Sequence, residues 1–399
     1  MPENNAPFIR VQLGGNPGNV MFMYMAALSL QRATGATSIA NVNIPLFDIS
    51  LPDRSQIGLN GLHFTVRDEP RNAGRIAIEA AARLCRTHPP DFIQIEGFCQ
   101  HTENLLPRDA IDYDAIFRRP DVPRVGGRED ELVISIRGGE ILREIQHPHY
   151  TQIPAGFYED IIRSTKLRPI FFGQLSDNPY CNGLRRRFPG AVFKQGTSPS
   201  EDFDYLRQSK NIIPSVSSFA WLAAWLSNAE RIFLPLTGLM HPNQHKNSFY
   251  VPLGDRRYSY FVFPINYWLP IDHFPESERA MEGRWFHATE TQVRNMFLRP
   301  PLVAKRADHY AAHLDPEFYV RANPDEAGPR QRHGDCSVYN HFLSRGFYEG
   351  RDPFMIDKGW YCRTYPEAAA AIGRNDYLDE VHHYVEAGSK LGYRLHPSL

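Results

Sequence analysis

The chain has 399 residues, of which 42% are hydrophobic and 22% are charged, a composition typical of a globular protein with two or three domains. Its net charge of −1 gives no electrostatic case for binding nucleic acid or an anionic membrane surface. No apolar run approaches the roughly 20 residues that cross a bilayer, no signal peptide is evident, and the cysteines lack metal-ligand spacing, so we expect a cytoplasmic protein.

The first third of the chain alternates short apolar runs with helical stretches. Strands are predicted at residues 8–13, 37–44, 62–66 and 92–95, and helices at residues 20–32 and 75–84. Strands that alternate with helices predict a parallel sheet covered on both faces. We therefore expect a Rossmann-like domain over residues 1–125.

The same alternation restarts after a polar stretch that contains two prolines, residues 118–131, which we interpret as a linker. Strands are predicted at residues 132–137, 169–172, 211–213 and 232–235, and helices at residues 157–164, 202–207 and 219–226. This pattern predicts a second Rossmann-like domain over residues 126–310. Its ligand crevice is expected at the carboxyl ends of the strands.

The remaining residues, 311–399, contain an internal repeat. Each copy has an Asp, an aromatic pair (Phe318 and Tyr319, then Trp360 and Tyr361), a helix with His residues and a Gly-containing exit. Such a small helical unit cannot bury its apolar face alone, so the copies should pack on each other or on the second domain.

Two segments that follow predicted strands carry candidate phosphate ligands. Glycines at residues 14–18 lie between a strand and a helix, where backbone and helix terminus favour an anion. Arg137 ends a buried strand and precedes Gly138 and Gly139, a pattern that suits bidentate binding of a diphosphate. The alternatives are a tight turn without a ligand in the first segment, and an Arg137–Glu140 ion pair in the second.

A third candidate is the helix start at Ser217, Ser218 and Phe219. Hydroxyl groups and free backbone N–H groups at the beginning of a helix form an anion site. The alternative is an ordinary amphipathic helix with a capping serine.

These segments resemble the α-1,2-fucosyltransferases over roughly residues 8–270. The string GGNPGNVMFMY is similar to their GGLGNQMFQY and retains Gly18, Asn19 and Phe22. The string SVSSFAWLAAWL resembles their NSSFSWWAAWL, and IEGFCQ keeps Gln100 of their GYWQ segment. The string LVISIRGGEI resembles their HxRRGD motif, with Arg137 on its first arginine; Ser135, Gly138 and Glu140 stand where the family has His, Arg and Asp.

The resemblance implies a GT-B enzyme, in which two Rossmann-like domains face each other across the active site, followed here by a helical repeat region. It implies inverting transfer of L-fucose from GDP-fucose to a glycan hydroxyl, with no metal and no cofactor. The donor would contact Arg137, Gly138, Gly139, Ser217, Ser218 and Phe219. The acceptor side of the cleft would contain Gly18, Asn19, Phe22 and Gln100.

The carboxy-terminal repeats resemble modules appended to bacterial polysaccharide glycosyltransferases. We therefore expect a bacterial enzyme of polysaccharide biosynthesis, whose partners are a GDP-sugar donor and a glycan acceptor. Peripheral association with membrane-bound polysaccharide machinery is compatible with this expectation, whereas a nucleic-acid partner is not expected.

An inverting transfer needs a general base near the acceptor hydroxyl. Glu140, Glu144 and His147 follow Arg137 in the chain and are the candidates, with Glu144 favoured over Glu140 because Glu140 aligns with the motif Asp. The alternative for each of the three is a surface or ion-paired residue with no role in catalysis.

Two alternative functions remain open from the sequence. One is the same chemistry with a different nucleotide sugar, suggested by the altered HxRRGD-like motif. The other is a degenerate, non-catalytic transferase that binds a glycan or a protein partner.

Overall fold

The protein is described here by a computed structural model, which covers residues 7–54, 62–68, 73–122, 124–142, 147–245, 247–267, 274–298, 302–324 and 335–397. Within it, no helix is long and apolar enough to cross a membrane. The first part of the chain forms β1 (Phe8–Val11), α1 (Pro17–Thr34), β2 (Ile39–Ala40), β3 (Val42–Ile44), β4 (Ile49–Leu51), β5 (His63–Arg67), α2 (Ile78–Thr87), β6 (Phe92–Glu96) and α3 (Tyr113–Ile116).

Four of these strands form a parallel sheet in the order β2-β1-β6-β5. The single strand predicted at residues 37–44 is wrong, because Asn41 interrupts it with a left-handed backbone (φ 57°). Asn tolerates this conformation, and here its side-chain amide donates to the carbonyl of Val11 at 2.7 Å. After the break, β3 turns away and pairs antiparallel with β4.

The next part of the chain forms a second α/β unit. Its elements are β7 (Glu131–Arg137), α4 (Ala155–Thr165), β8 (Arg168–Gln174), α5 (Pro179–Arg187), β9 (Val192–Gln195), α6 (Pro199–Gln208), β10 (Asn211–Ile213), α7 (Ser218–Leu226), β11 (Arg231–Leu236), β12 (Tyr258–Val262), α8 (Phe274–Met281), β13 (Phe286–Ala288) and α9 (Glu290–Leu298). The sequence patterns had not predicted β9, β12 and β13, or α5, α8 and α9.

The seven strands of this unit have the order β13-β12-β11-β10-β7-β8-β9, and all pairs are parallel except β12 with β13. From β7 the chain moves outward through β8 and β9, then returns to place β10 on the other side of β7. The two neighbours β7 and β10 therefore mark the switch point, where a crevice forms outside the carboxyl ends of the strands. The predicted α/β class, with parallel sheets flanked by helices, is confirmed.

Helices α1 and α7 connect the two α/β units through one apolar core. The ring of Phe22, on α1, stacks on Trp221, on α7, with centroids 5.4 Å apart and contacts Tyr250 edge-on at 5.6 Å. Every residue of α7 from Ala220 to Leu226 is buried, which explains why this helix is apolar all round. The two helices thus hold their amino termini close together.

The carboxy-terminal residues form short helices: α10 (Ala307–Ala311), α11 (Pro316–Ala322), α12 (Asp335–His341), α13 (Phe347–Glu349), α14 (Lys358–Thr364), α15 (Pro366–Gly373) and α16 (Glu380–His383). One apolar cluster contains residues of both repeat copies. Each copy has a buried tyrosine whose hydroxyl bonds a histidine Nδ1, Tyr319 to His341 at 3.1 Å and Tyr361 to His383 at 2.9 Å. The repeat seen in the sequence thus recurs in the packing. The boundaries of the three domains stay predictions.

Candidate functional site

A cavity of about 410 Å³ lies at the switch point of the seven-stranded sheet, and we call it the donor cavity after the sugar donor that the sequence resemblance leads us to expect. Its walls come from the starts of α1 and α7, the ends of β7 and β8, the loop before α4, and α6. The residues that line it are Asn16, Pro17, Gly18, Asn19, Ser135, Ile136, Arg137, Glu140, Tyr150, Phe172, Gly173, Gln174, Pro199, Asp202, Leu206, Ser215, Ser217, Ser218, Phe219 and Ala220. Its volume is within the range of small-molecule sites, roughly 300–1,000 Å³.

The start of α1 reaches this cavity because Gly18 has no side chain. A Cβ atom at Gly18 would lie 2.7 Å from Oγ of Ser218 and 2.8 Å from the backbone N of Phe219. Next to it, Oδ1 of Asn19 accepts hydrogen bonds from Nε2 of Gln100 at 2.7 Å and from Oγ of Ser218 at 3.1 Å. Asn19 therefore joins the two helix starts and the loop after β6.

Both helix starts are uncapped by side chains. Asn16 precedes α1 and Ser217 precedes α7, and neither side chain makes a capping hydrogen bond. Neither first turn contains an acidic residue. Free N–H groups and the positive ends of two helix dipoles therefore meet at one wall of the donor cavity, an arrangement that favours a bound anion.

Arg137 adds a full positive charge to this wall. Its Nη2 pairs with Oε1 of Glu140 at 2.9 Å, and its guanidinium lies 4.8 Å from the centre of the Tyr150 ring. The side chain is only 15% exposed, so contacts on several sides orient the planar guanidinium. It is the residue in this cavity best suited to bidentate contact with a diphosphate.

Gly138 and Gly139 do not line the donor cavity. A Cβ at Gly138 would lie 2.5 Å from Sγ of Cys181, and one at Gly139 would lie 2.9 Å from Oε1 of Gln174. The two glycines instead let β8 and α5 approach the end of β7. Phe22 is likewise absent from the cavity wall, because it is fully buried between α1 and α7.

The three candidate bases differ in their surroundings. Glu140 accepts from Arg137 and, through Oε2, from Nε2 of Gln174 at 2.9 Å. Burial raises the pKa of Glu140, but these hydrogen bonds and the charge of Arg137 outweigh it, so its pKa lies below the ordinary value. Such a carboxylate is a poor base and a good orienting partner for Arg137. Glu144 lies outside the described residues.

His147 is half-buried and lies next to the donor cavity without lining it. Its ring centroid is 4.6 Å from that of Tyr150, which does line the cavity. Burial, together with the nearby charge of Arg137, lowers the pKa of His147 below its ordinary 6.5. The imidazole is therefore neutral at pH 7 and able to accept a proton.

Several lining residues had escaped the sequence interpretation. They are polar or aromatic side chains at the ends of β8 and β10 or in the segments that follow strands, namely Tyr150, Phe172, Gln174, Asp202 and Ser215. The available signal was the rule that ligand residues follow the carboxyl ends of the strands beside the switch point. Applied to β7 and to the segment after β10, this rule identifies Arg137 and Ser217; the lining residues that follow β8 and β9 obey the same rule.

Among the described residues, no group of three or more His, Cys, Asp or Glu side chains is arranged to hold a metal ion. Compared with models of known protein families, the chain matches none, and no curated protein matches it.

The close approach at Gly18 leads to a first prediction. Alanine normally stabilises a helix relative to glycine by about 1 kcal/mol. Gly18→Ala should instead destabilise the protein by about 1–3 kcal/mol and weaken anion binding, because its Cβ would clash with the backbone of Phe219.

Thermal unfolding and GDP titration would test this. The matched control is Gly373→Ala at the end of α15, where a new Cβ would meet no atom within 4 Å. Equal melting temperatures for the two variants would show that α1 and α7 do not require a glycine at their contact.

Proposed function

We propose that the protein is an inverting glycosyltransferase that uses a GDP-sugar, with GDP-fucose as the candidate donor, similar to the α-1,2-fucosyltransferases. The observation that carries the proposal is the convergence of Arg137 with two uncapped helix starts at the switch point of the sheet. These groups neutralise a diphosphate, and they require no metal ion to do so.

Other residues that line the donor cavity suit a guanine base. Phe172, Leu206 and Phe219 supply apolar surface, and Asp202 supplies a carboxylate beside it. Guanine presents two adjacent donors, the ring N1–H and the 2-amino group, which one carboxylate accepts together. Uracil presents a single N–H between two carbonyl oxygens, so a carboxylate favours GDP over UDP.

The reaction then needs few protein groups. The acceptor oxygen forms a bond to the anomeric carbon while the bond from that carbon to the GDP oxygen breaks, which inverts the configuration. Arg137 and the two helix starts stabilise the charge that develops on the leaving diphosphate. The acceptor proton passes to a base, for which we propose His147.

Either ring nitrogen of His147 could accept the proton. Its Nδ1 accepts a bond from the backbone N–H of His149, but this bond is long, 3.3 Å. For Nε2 to act as the base, the ring must adopt the tautomer with its proton on Nδ1, which gives up this bond.

The guanine assignment is tested with Asp202→Asn. The amide replaces one acceptor oxygen with an NH2 group, which faces an N–H donor of guanine. GDP binding should therefore weaken by about 1–3 kcal/mol, while UDP affinity stays low and unchanged. Calorimetry against a panel of nucleoside diphosphates and nucleotide sugars provides the measurement.

The matched control is Asp160→Asn, which removes a surface carboxylate paired with Arg163 outside the cavity. Tighter binding of UDP than of GDP by the unmodified protein would overturn the guanine assignment. Turnover of another nucleotide sugar in preference to GDP-fucose would favour the alternative donor, and GDP binding without any turnover would favour the non-catalytic alternative.

A further inference from the structure

A second cavity of about 400 Å³ is lined by His147, whose ring packs on Tyr150 of the donor cavity. We call it the histidine cavity and define it by His147, His149, Asn243, His245, Asn247 and Glu349, which all line it. The first two come from the loop after β7, the next three from the loop after β11, and Glu349 from the carboxy-terminal helices. Three distant parts of the chain thus build one site.

The three imidazoles form a compact polar wall. The ring centroid of His149 lies 5.4 Å from that of His147 and 4.9 Å from that of His245. Nδ1 of His245 bonds the hydroxyl of Ser248 at 2.6 Å, which fixes the orientation of its ring. Nδ1 of His149 is buried and has no hydrogen-bond partner within the described part of the chain.

This wall carries no charge at neutral pH. Burial, with a smaller effect of the neighbouring imidazoles, lowers the pKa of both His149 and His245 to about 4. The pKa of His147 is also lowered, as described above. Neutral imidazoles each offer one donor and one acceptor and provide no attraction for a carboxylate or a phosphate.

Glu349 provides a fixed acceptor in the same cavity. Its two oxygens bind Nε of Arg345 at 2.6 Å and Nε of Arg351 at 2.8 Å. Burial raises the pKa of Glu349, but the charge of Arg351 and the hydrogen bonds from Arg345 and Tyr267 outweigh it, so the carboxylate stays ionised. An ionised carboxylate accepts hydrogen bonds from hydroxyl groups, and the two arginines balance its charge.

We infer that the histidine cavity binds the acceptor as a neutral, hydroxyl-rich saccharide, and that the carboxy-terminal repeats contribute to acceptor binding through Glu349. The inference rests on the proposed function for its link to transfer. Planar amides, neutral imidazoles and a carboxylate are groups that match the paired donors and acceptors of sugar hydroxyls. His147 lines the histidine cavity and packs on Tyr150, which lines the donor cavity, so it lies between the acceptor and the donor.

The test uses the full-length protein without nucleotide and measures binding of methyl β-galactoside, lactose and N-acetyllactosamine by saturation-transfer NMR. Asn247→Trp places a large side chain in the cavity from an exposed position. We expect saccharide affinity to fall at least roughly tenfold. The matched control, Asn43→Trp at the exposed middle position of β3, should keep native affinity.

A second variant, Asn243→Ala, removes one lining amide without adding bulk and should weaken binding in the same direction, so the test does not depend on one substitution folding. Glucuronate serves as the charged comparator. Equal saccharide binding by Asn247→Trp and Asn43→Trp, no binding of any neutral saccharide, or tighter binding of glucuronate would each overturn the inference.

Failure of the donor assignment is distinguishable from failure of this inference. If lactose binding depends on Asn247 but GDP does not bind, the nucleotide proposal is wrong and the saccharide cavity stands. If GDP binds and the saccharides behave alike in both tryptophan variants, the histidine cavity assignment is wrong and the donor proposal stands.

Discussion

Replacing Arg137 with alanine should weaken GDP binding by about 1.5–3 kcal/mol, which corresponds to a roughly ten- to hundredfold higher Kd. Among the described residues that line the donor cavity, the guanidinium is the single full positive charge, and Tyr150 and Glu140 hold its plane in place. Arg137→Lys should recover only part of the loss, because an ammonium group keeps the charge but not the bidentate geometry. Calorimetric titration with GDP measures both effects.

The control for this prediction is Arg187→Ala, which removes an exposed ion pair with Glu159 (2.6 Å) outside the cavity. It should leave GDP affinity unchanged. If Arg137→Ala and Arg187→Ala both keep the native Kd for GDP, the diphosphate does not bind at this end of β7. The proposed function would then lose its basis.

Replacing His147 with alanine should lower turnover by roughly two to four orders of magnitude while leaving the Kd for GDP near its native value. A base acts on the acceptor proton in the transition state and contributes little to donor binding. Glu140→Gln should behave differently. Glu140 accepts hydrogen bonds from Arg137 and Gln174, so its loss disturbs the position of Arg137, which binds the diphosphate. That variant should weaken GDP binding and turnover together.

The pH dependence of the native enzyme separates the candidates as well. The base has to be deprotonated, so kcat/KM falls as pH falls through its pKa. With His147 as the base, the midpoint lies somewhat below 6.5, since burial and Arg137 lower the imidazole pKa. With Glu140 as the base, the midpoint lies below 4.5, since its pKa is held below that value.

His88→Ala, at an exposed histidine just after α2, is the matched control and should keep native kinetics. Near-native turnover in His147→Ala, combined with a large loss in Glu144→Gln, would identify Glu144 as the base, as the sequence favoured. Near-native turnover in all three variants, at positions 140, 144 and 147, would show that the base is another group in the cleft.

The parts of the donor cavity that could be read from the sequence are those with a strong local pattern. The apolar run before Arg137 identifies a buried strand, and a buried parallel strand ends where ligands bind. Ser217 precedes and Ser218 begins a helix whose other residues are all apolar, which marks a helix start inside the protein. Each of these inferences uses neighbours within one turn or one strand, the range over which periodicity and propensity act.

The same patterns failed where an element is short or lies at the edge of a sheet. The strand β9 is mostly exposed, so it lacks the apolar run that identifies a buried strand. The break at Asn41 depends on a left-handed backbone that no hydrophobic pattern encodes. The roles of Gly138 and Gly139 were similarly invisible, because both are set by how closely Cys181 and Gln174 approach them.

The amino-acid sequence by itself determined the α/β class, the strand that carries Arg137, the helix start at Ser217 and the repeated carboxy-terminal unit. Only the tertiary structure decided that Gly18 meets Ser218, that Asp202 faces the same cavity as Arg137, and that Glu349 closes a second cavity with three histidines. The physical reason is that helix and strand formation depends on local hydrogen bonding and apolar periodicity. The convergence of side chains distant in sequence depends instead on how whole elements pack.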